Sequence, residues 1–390
     1  MIRFCIVLIA LLSCQSLLAQ TAGTLVNRAR REGDPAAQVV LLTKAIAKDP
    51  RSVQAYHYRA DAYMQLGKND LALKDYDRVI VLRPKDPFRY YARGLALMQQ
   101  KKYSLAQADF SKAVSLKPTY ADFYLARARA HSAQHHYESA LMDYQTYEKY
   151  ADEPVPLLRE KIPVYLGAYR YDEAKQAVNE LREGGDDSAQ LYVWSGRILA
   201  GKNQPDEAVS QYSKAVNRDA AFAEAYRYRG DLFREMGDYE AALDDFNDLL
   251  ALQPEDALSY NKRGLLYEEM KQFQAAVGDY EKAISLAPKW AVPYNNLAYA
   301  QMNLGQWQSA EENLEKAISL EPSAPTPYVN LAGVYWTWKK DTKKMYDNLA
   351  KAVKHNFKNF DALFDKNKKG WLFTEVNQTA EFRSVLHQWL

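Results

Sequence analysis

Apolar side chains recur along most of this chain at spacings of three and four residues, in short stretches separated by polar turns. Tyr260, Gly264 and Tyr267 form one such stretch, and Ala276, Tyr280 and Ala283 the next. That period gathers each set onto one face of a helix, so the pattern predicts pairs of amphipathic α-helices and not strands. The pairs themselves repeat. Ala72, Ala106, Ala140, Ala174, Ala208, Ala242, Ala276 and Ala310 lie 34 residues apart, with nothing inserted or lost between them. A fixed period of this length marks an array of stacked units, each packing on its neighbours. The expected fold class is all-α, a single elongated solenoid in place of the two or three globular domains that 390 residues would otherwise allow.

Framed from Val53, eight repeats run to Ala324. The fourth residue is Tyr56, Tyr90, Tyr124, Leu158, Tyr192, Tyr226, Tyr260 and Tyr294. The eighth is mostly small: Ala60, Gly94, Ala128, Ile162, Gly196, Gly230, Gly264 and Ala298. The twentieth is the recurring Ala. The twenty-fourth is large: Tyr76, Phe110, Tyr144, Val178, Tyr212, Phe246, Tyr280 and Leu314. Small residues let two helices approach, and the large ones fill the space beside them. A turn bearing Gly or Lys separates the helices (Gly67, Gly237, Gly305), and Pro84, Pro118, Pro254, Pro288 and Pro322 stop the second helix.

This pattern resembles the tetratricopeptide repeat (TPR) family, over eight frames spanning residues 53–324. The resemblance implies a right-handed superhelical solenoid of about ten helix-turn-helix repeats, with first helices lining a concave groove that binds protein segments. The organisation expected is a signal peptide at 1–19, a degenerate N-terminal repeat at 20–52 and three repeats at 53–154. A divergent proline-containing repeat follows at 155–188, then four repeats at 189–324, a weak final repeat at 325–358 and a C-terminal helical cap at 359–390. The final repeat falls out of phase by one residue before Leu349 and Ala352. The cap is read from the aromatics of the tail, Trp371, Phe373 and Trp389 among them, because a terminal repeat exposes an apolar face that must be covered.

Two details sharpen the frame. Arg at the seventh place and Asp at the twenty-third occur together: Arg59 with Asp75, Arg93 with Asp109, Arg127 with Asp143, Arg229 with Asp245 and Arg263 with Asp279. The other three frames lack both. This co-occurrence predicts a bidentate bridge joining the two helices of each of these repeats, one that fixes orientation more than it adds stability. In the divergent frame, Pro163 falls inside the first helix, where proline costs about 3 kcal/mol, and Gly184-Gly185 replaces the closing Pro. This is either drift in a tolerant scaffold or a bend between two arrays. Because Ala174 keeps phase, the sequence places no domain boundary there.

The first residues read as an export signal, with Arg3 ahead of an apolar Phe4–Leu12 core too short to span a membrane. Cleavage after Ala19 is expected; the other reading is a lipobox, Leu11-Leu12-Ser13-Cys14, leaving Cys14 as a lipid anchor on an outer-membrane lipoprotein. The released form would reside in the periplasm or be secreted. Cys5 and Cys14 are the only cysteines, so the folded body holds no disulfide or thiol chemistry. Charge is balanced, 51 Lys and Arg against 49 Asp and Glu, without the basic stripe of a nucleic-acid binder.

Catalytic signatures are absent: no phosphate-binding loop, nucleophile elbow or zinc-protease helix occurs in the sequence. His131 and His135 stand one helical turn apart, a spacing that suits a metal, but His131 occupies a place that is aromatic elsewhere (Tyr63, Phe233, Tyr267) and no carboxylate or thiol completes a ligand set. It is read as structural, with no metal or cofactor expected. Asp187-Ser188-Ala189 resembles an O-glycosylation acceptor of exported bacterial proteins.

The expectation is therefore a non-enzymatic adaptor that binds another protein or an extended peptide. The alternative is a glycan- or client-binding subunit of an envelope assembly. On a first helix the exposed face is the second, fifth, ninth, twelfth and thirteenth residues. Candidate partner contacts there are His57, Phe88, Tyr91, Leu95 and Met98, then Arg129 and Arg197, then Arg227, Asp231 and Arg234. Met and aromatic side chains on such a face mark interaction sites; the competing reading is that Phe88, Leu95 and Met98 pack between adjacent first helices.

Overall fold

The computed structural model describes residues 21–152 and 156–356. The signal peptide, Cys14 and the C-terminal cap fall outside the described residues. Among the described residues there are twenty α-helices and no strand. They divide into two compact units, Met1–Leu181 and Arg182–Leu390. The division falls inside the divergent repeat, where the sequence reading placed no boundary. Phase at Ala174 is a property of one helix pair and says nothing about how strongly that pair holds the next.

In the first unit the helices are α1 (Ala22–Ala29), α2 (Pro35–Lys48), α3 (Val53–Gln65), α4 (Asn69–Leu82), α5 (Pro87–Gln99), α6 (Tyr103–Leu116), α7 (Ala121–Ala133), α8 (Tyr137–Tyr150), α9 (Leu158–Gly167) and α10 (Tyr171–Glu183), which ends just past the division. The second unit continues with α11 (Ala189–Gly201), α12 (Pro205–Arg218), α13 (Ala223–Met236), α14 (Tyr239–Leu252), α15 (Ala257–Glu269), α16 (Phe273–Leu286), α17 (Ala291–Asn303), α18 (Trp307–Leu320), α19 (Pro325–Val334) and α20 (Thr342–Lys354). Odd-numbered helices are the first of a repeat and even-numbered ones the second.

First helices begin on the opening residue of the frame in every repeat from Val53 except the divergent one. There α9 starts at Leu158, has 10 residues instead of the 13 of α7 or α11, and carries Pro163 inside it. Side chains set several starts by accepting backbone N–H groups that a helix leaves unpaired, as Ser52 does for α3, Asp86 for α5 and Asp256 for α15.

In the eight frames from Val53 each pair turns on one left-handed residue at the fifteenth place: Gly67, Lys101, His135, Tyr169, Asn203, Gly237, Lys271 and Gly305, all with φ between 57° and 82°. The next residue donates its N–H to a carbonyl five back, as Lys102 does to Leu97 at 2.9 Å, closing the helix end. In the last repeat the left-handed residue is Lys340, one place late, after a π-helical turn over Tyr335–Lys339. A π-turn takes in one extra residue, which accounts for the slip in phase seen in the sequence.

All eight recurring alanines are fully buried. The eighth and twenty-fourth residues meet: a Cβ added to Gly94 would lie 2.5 Å from the Phe110 ring, and one added to Gly264 would lie 2.6 Å from that of Tyr280. The ring leaves no room for a side chain. In the divergent repeat Ile162 and Val178 reverse the sizes, and both are buried.

The arginines at the seventh place form a regular set of bridges. Arg93 donates from Nε to Asp109 Oδ2 at 2.8 Å and from Nη2 to Oδ1 at 2.6 Å. The same two-bond pairing joins Arg59 to Asp75, Arg127 to Asp143, Arg229 to Asp245 and Arg263 to Asp279, with bonds of 2.6–2.9 Å in each and one additional 3.3 Å contact at Arg229. The five aspartates are buried. Nη1 of each arginine reaches back to the second helix of the preceding repeat: Thr43, Asp77, Ser111, Ser213 and Asn247 accept at 3.1, 2.5, 3.4, 2.9 and 2.7 Å. Every guanidinium thus ties three helices together.

Candidate partner-binding face

The first-helix face of α3 and α5 forms a cleft of 610 Å³. Its walls come from the places named for the exposed face: His57, Asp61 and Met64 on α3, and Phe88, Tyr91 and Leu95 on α5. Phe88 and Leu95 remain 40% and 41% exposed. Tyr91 is half-buried, its ring 5.2 Å from that of Phe123 and 5.9 Å from that of Phe110. Met98 packs with Leu97, Phe110 and Ala126. The predicted apolar run therefore separates: Tyr91 and Met98 belong largely to the packing between α5 and its neighbours, while Phe88 and Leu95 stay open. Phe88 meets Tyr120 edge-on at 5.1 Å, with the Lys117 ammonium 5.2 Å from its centre. His57 is held below the usual imidazole range by burial, against the opposing pull of Asp61. Tyr76, at the floor of the cleft, donates to Asp61. The repeat pattern does not point to Tyr76 here, since its place in the frame assigns it to the core.

The charged candidates are already engaged. Arg129 makes a two-bond pair with Glu160 at 2.9 and 2.7 Å. Arg227 donates to Asp256 and Gln253, both at 3.2 Å. Lys262 donates to Asp231, and Arg234 to Glu269 at 2.7 Å. Arg197 lies 4.9 Å from the centre of the Tyr228 ring. Apart from that of Arg227, whose partners close its own frame just ahead of α15, each interaction runs from one first helix to the next repeat, so these side chains hold neighbouring elements together and do not wait free for a partner. Farther along, amides do the same: Asn296 donates to Asn261 at 3.0 Å and Asn330 to Asn295 at 2.9 Å.

Among the described residues no group of three His, Cys, Asp or Glu is placed to hold a metal. His131 sits 3.8 Å from Asp143, and burial lowers its pKa. His135 is the left-handed turn residue, with its Nδ1 2.7 Å from the Tyr137 hydroxyl. Ser188, read from sequence as resembling a glycan acceptor, precedes α11 with its hydroxyl oxygen buried. No described helix is long and apolar enough to cross a membrane.

Comparison with known proteins returns the same repeat. Patterns described as "TPR repeat" match residues 60–101 and 230–271. Patterns described as "Tetratricopeptide repeat" match residues 41–74, 87–120, 160–227, 257–289 and 291–324. A search of curated proteins gave no match. Similar solved structures include MamA 41-end from Desulfovibrio magneticus RS-1, 23% identical over 44% of this chain and 96% of that one, with a TM-score of 0.41. Another is YrrB, titled a TPR protein with an unusual peptide-binding site, 20% identical over 46% of this chain and 92% of that one, with a TM-score of 0.40. Matched by these patterns over most of residues 41–324, and built from the 34-residue helix pairs they describe, the chain belongs to the tetratricopeptide repeat family.

Proposed function

We propose that this chain is a non-catalytic adaptor of the bacterial envelope, exported through its N-terminal signal, that binds an extended segment of another protein on the first-helix face of α3 and α5. TPR proteins are generally interaction scaffolds, which supports the class of function. The observation that carries the site is the pair Phe88 and Leu95, two large apolar side chains left open on the walls of one cleft. Water released from such a pair supplies binding free energy of about 25 cal/mol per Å² of apolar surface covered. Tyr91, the ring that a glycan-binding subunit would use for stacking, lies against Phe110 and Phe123, which favours the protein-binding reading.

The test is a photo-crosslinking amino acid at position 95 in the exporting cell, followed by identification of the chains captured. A defined partner lost on Phe88→Ala and retained on substitution of exposed Met142 supports the site; identical capture by both variants overturns it. Export is read separately. A mature chain beginning at Gln20 in the envelope fraction supports the released form, and lipid label on Cys14 the anchored one.

A further inference from the structure

A second cleft, of 770 Å³, opens between the turns that lead into α3 and α5. Arg51, Arg83, Lys85 and Arg89 line it, and Asp86 is the one acid among its lining residues. Both oxygens of Asp86 are committed, Oδ1 to the Phe88 N–H at 3.0 Å and Oδ2 to Arg89 Nε at 2.9 Å. Arg51, Arg83 and Lys85 are exposed, and no ion pair involves them among the described residues. Three uncompensated cations therefore face one concavity, where low-dielectric walls concentrate their field. The N-terminal ends of α3 and α5, both 13-residue helices, add to the same sign.

The charge follows the repeat. Arg51 and Lys85 hold the thirty-third place of successive frames, and Arg83 and Lys117 the thirty-first. The same places in the second unit hold Asp219 and Ala221, Gln253 and Glu255, Ala287 and Lys289, and Glu321 and Ser323. Adjacent turns that are both basic thus occur at the start of the array, beside the cleft that carries Phe88 and Leu95, whereas Lys289 is the one cation at these places in the second unit. First-helix cations elsewhere, Arg129, Arg227 and Arg234, are each paired with a carboxylate. Those at these turns are not.

We infer that this turn-side cleft is a docking site for an acidic segment of a partner protein, separate from the apolar face of α3 and α5. The inference rests on the reading of the chain as a protein-binding scaffold and adds the charge of what it binds. Carboxylates of the segment would pair with Arg51, Arg83 and Lys85, giving contacts that salt weakens.

The experiment uses the full chain and a fluorescent peptide of consecutive glutamates, with its glutamine counterpart as control. Binding is expected for the glutamate peptide alone, falling steeply from low to physiological ionic strength. The triple variant Arg51→Ser, Arg83→Ser, Lys85→Ser should lose at least about tenfold in affinity, while Leu95→Ala leaves it unchanged. An unaltered circular dichroism melt shows that the three exposed substitutions leave the fold intact. Equal binding of the glutamine peptide, an unaffected triple variant, or no binding at low salt would overturn the inference. Tighter binding of phosphatidylserine vesicles or single-stranded DNA than of the peptide would overturn the assignment to a protein segment. Capture through position 95 is a separate readout, so the acidic-segment inference can fail while the adaptor reading stands.

Discussion

Arg129 on α7 and Glu160 on α9, 31 residues apart, hold each other through two hydrogen bonds of 2.9 and 2.7 Å. The pair occupies the face a partner would approach, so its chief effect is to fasten one repeat to the next. Arg129 keeps Glu160 below the usual carboxylate range, chiefly by that hydrogen bonding. A depressed carboxylate contributes stability at pH values above its unfolded pKa and loses it as pH falls through the folded one. With both side chains more than a third exposed (48% and 38%), the coupling is expected at about 1 kcal/mol or less. A double-mutant cycle of Arg129→Ala and Glu160→Gln in urea should return that value at pH 7 and nothing near pH 2.

Glu268 behaves in the opposite sense. Burial pushes its carboxyl up to about 7, partly opposed by the hydrogen bond that the Tyr280 hydroxyl donates at 3.0 Å. The folded state therefore retains a proton that the unfolded state releases above about 4.5. Its contribution is full below that value and is lost as pH rises through 7. Glu268→Gln should leave stability at pH 5 nearly unchanged and raise it relative to wild type at pH 8. A difference between the two proteins that does not depend on pH would refute this account.

The helix-joining bridges are sensitive to loss of one partner. Asp279→Ala leaves Arg263 without its carboxylate beside a mostly buried site, and should cost about 2–3 kcal/mol. Replacing both residues by apolar ones of similar volume should recover most of that loss. Chemical denaturation of the three variants separates a requirement for charge from a requirement for shape.

At the turns, Lys271 adopts φ 59° and Tyr169 φ 58°, conformations that cost a side-chain-bearing residue roughly 1–2 kcal/mol. Lys271→Gly relieves that strain, less the entropy glycine gives up on folding, and should stabilise by about 0.5–1 kcal/mol. Gly237→Ala, at φ 82° with open space around it, should destabilise by about 1 kcal/mol through backbone conformation alone. Thermal midpoints moving the same way in both variants would contradict this.

Size is traded between the eighth and twenty-fourth places. Gly94→Ala should destabilise by about 1–3 kcal/mol, because its new methyl group meets the Phe110 ring. Phe110→Leu in the same chain should restore part of the loss, as the array already pairs Ala298 with Leu314. Additive effects of the two substitutions would show that these side chains do not compete for one space.

Helix positions were legible because the period left little freedom: an amphipathic stretch, a closing proline and a recurring alanine all pointed to the same boundaries. The bridges were legible because Arg and Asp appeared and vanished together. The left-handed turn residue was harder, since Gly fills it only at 67, 237 and 305, and Lys, His, Tyr or Asn elsewhere. The engagement of Arg129 was hidden for a different reason. Its partner Glu160 lies in the divergent repeat and outside any regular spacing, and contacts between repeats are set by how helices stack, which a single frame does not encode. The basic turns carry no signal in the frame, because turn residues lie outside the apolar pattern that defines it.

The backward reach of each bridging arginine bears on how the array comes apart. Thr43, Asp77, Ser111, Ser213 and Asn247 each accept from an arginine of the following repeat, so in those places one repeat cannot open without disturbing its neighbour. Unfolding of a linear array depends on such nearest-neighbour coupling. The frames that start at 155, 189 and 291 lack the arginine; at the first of these Lys161 reaches back to Glu148 at 2.8 Å in its place, and within the second unit cooperativity should weaken at the leading edge of the frame that starts at 291. Native-state hydrogen exchange should therefore resolve blocks of repeats that open together, with a division ahead of α17.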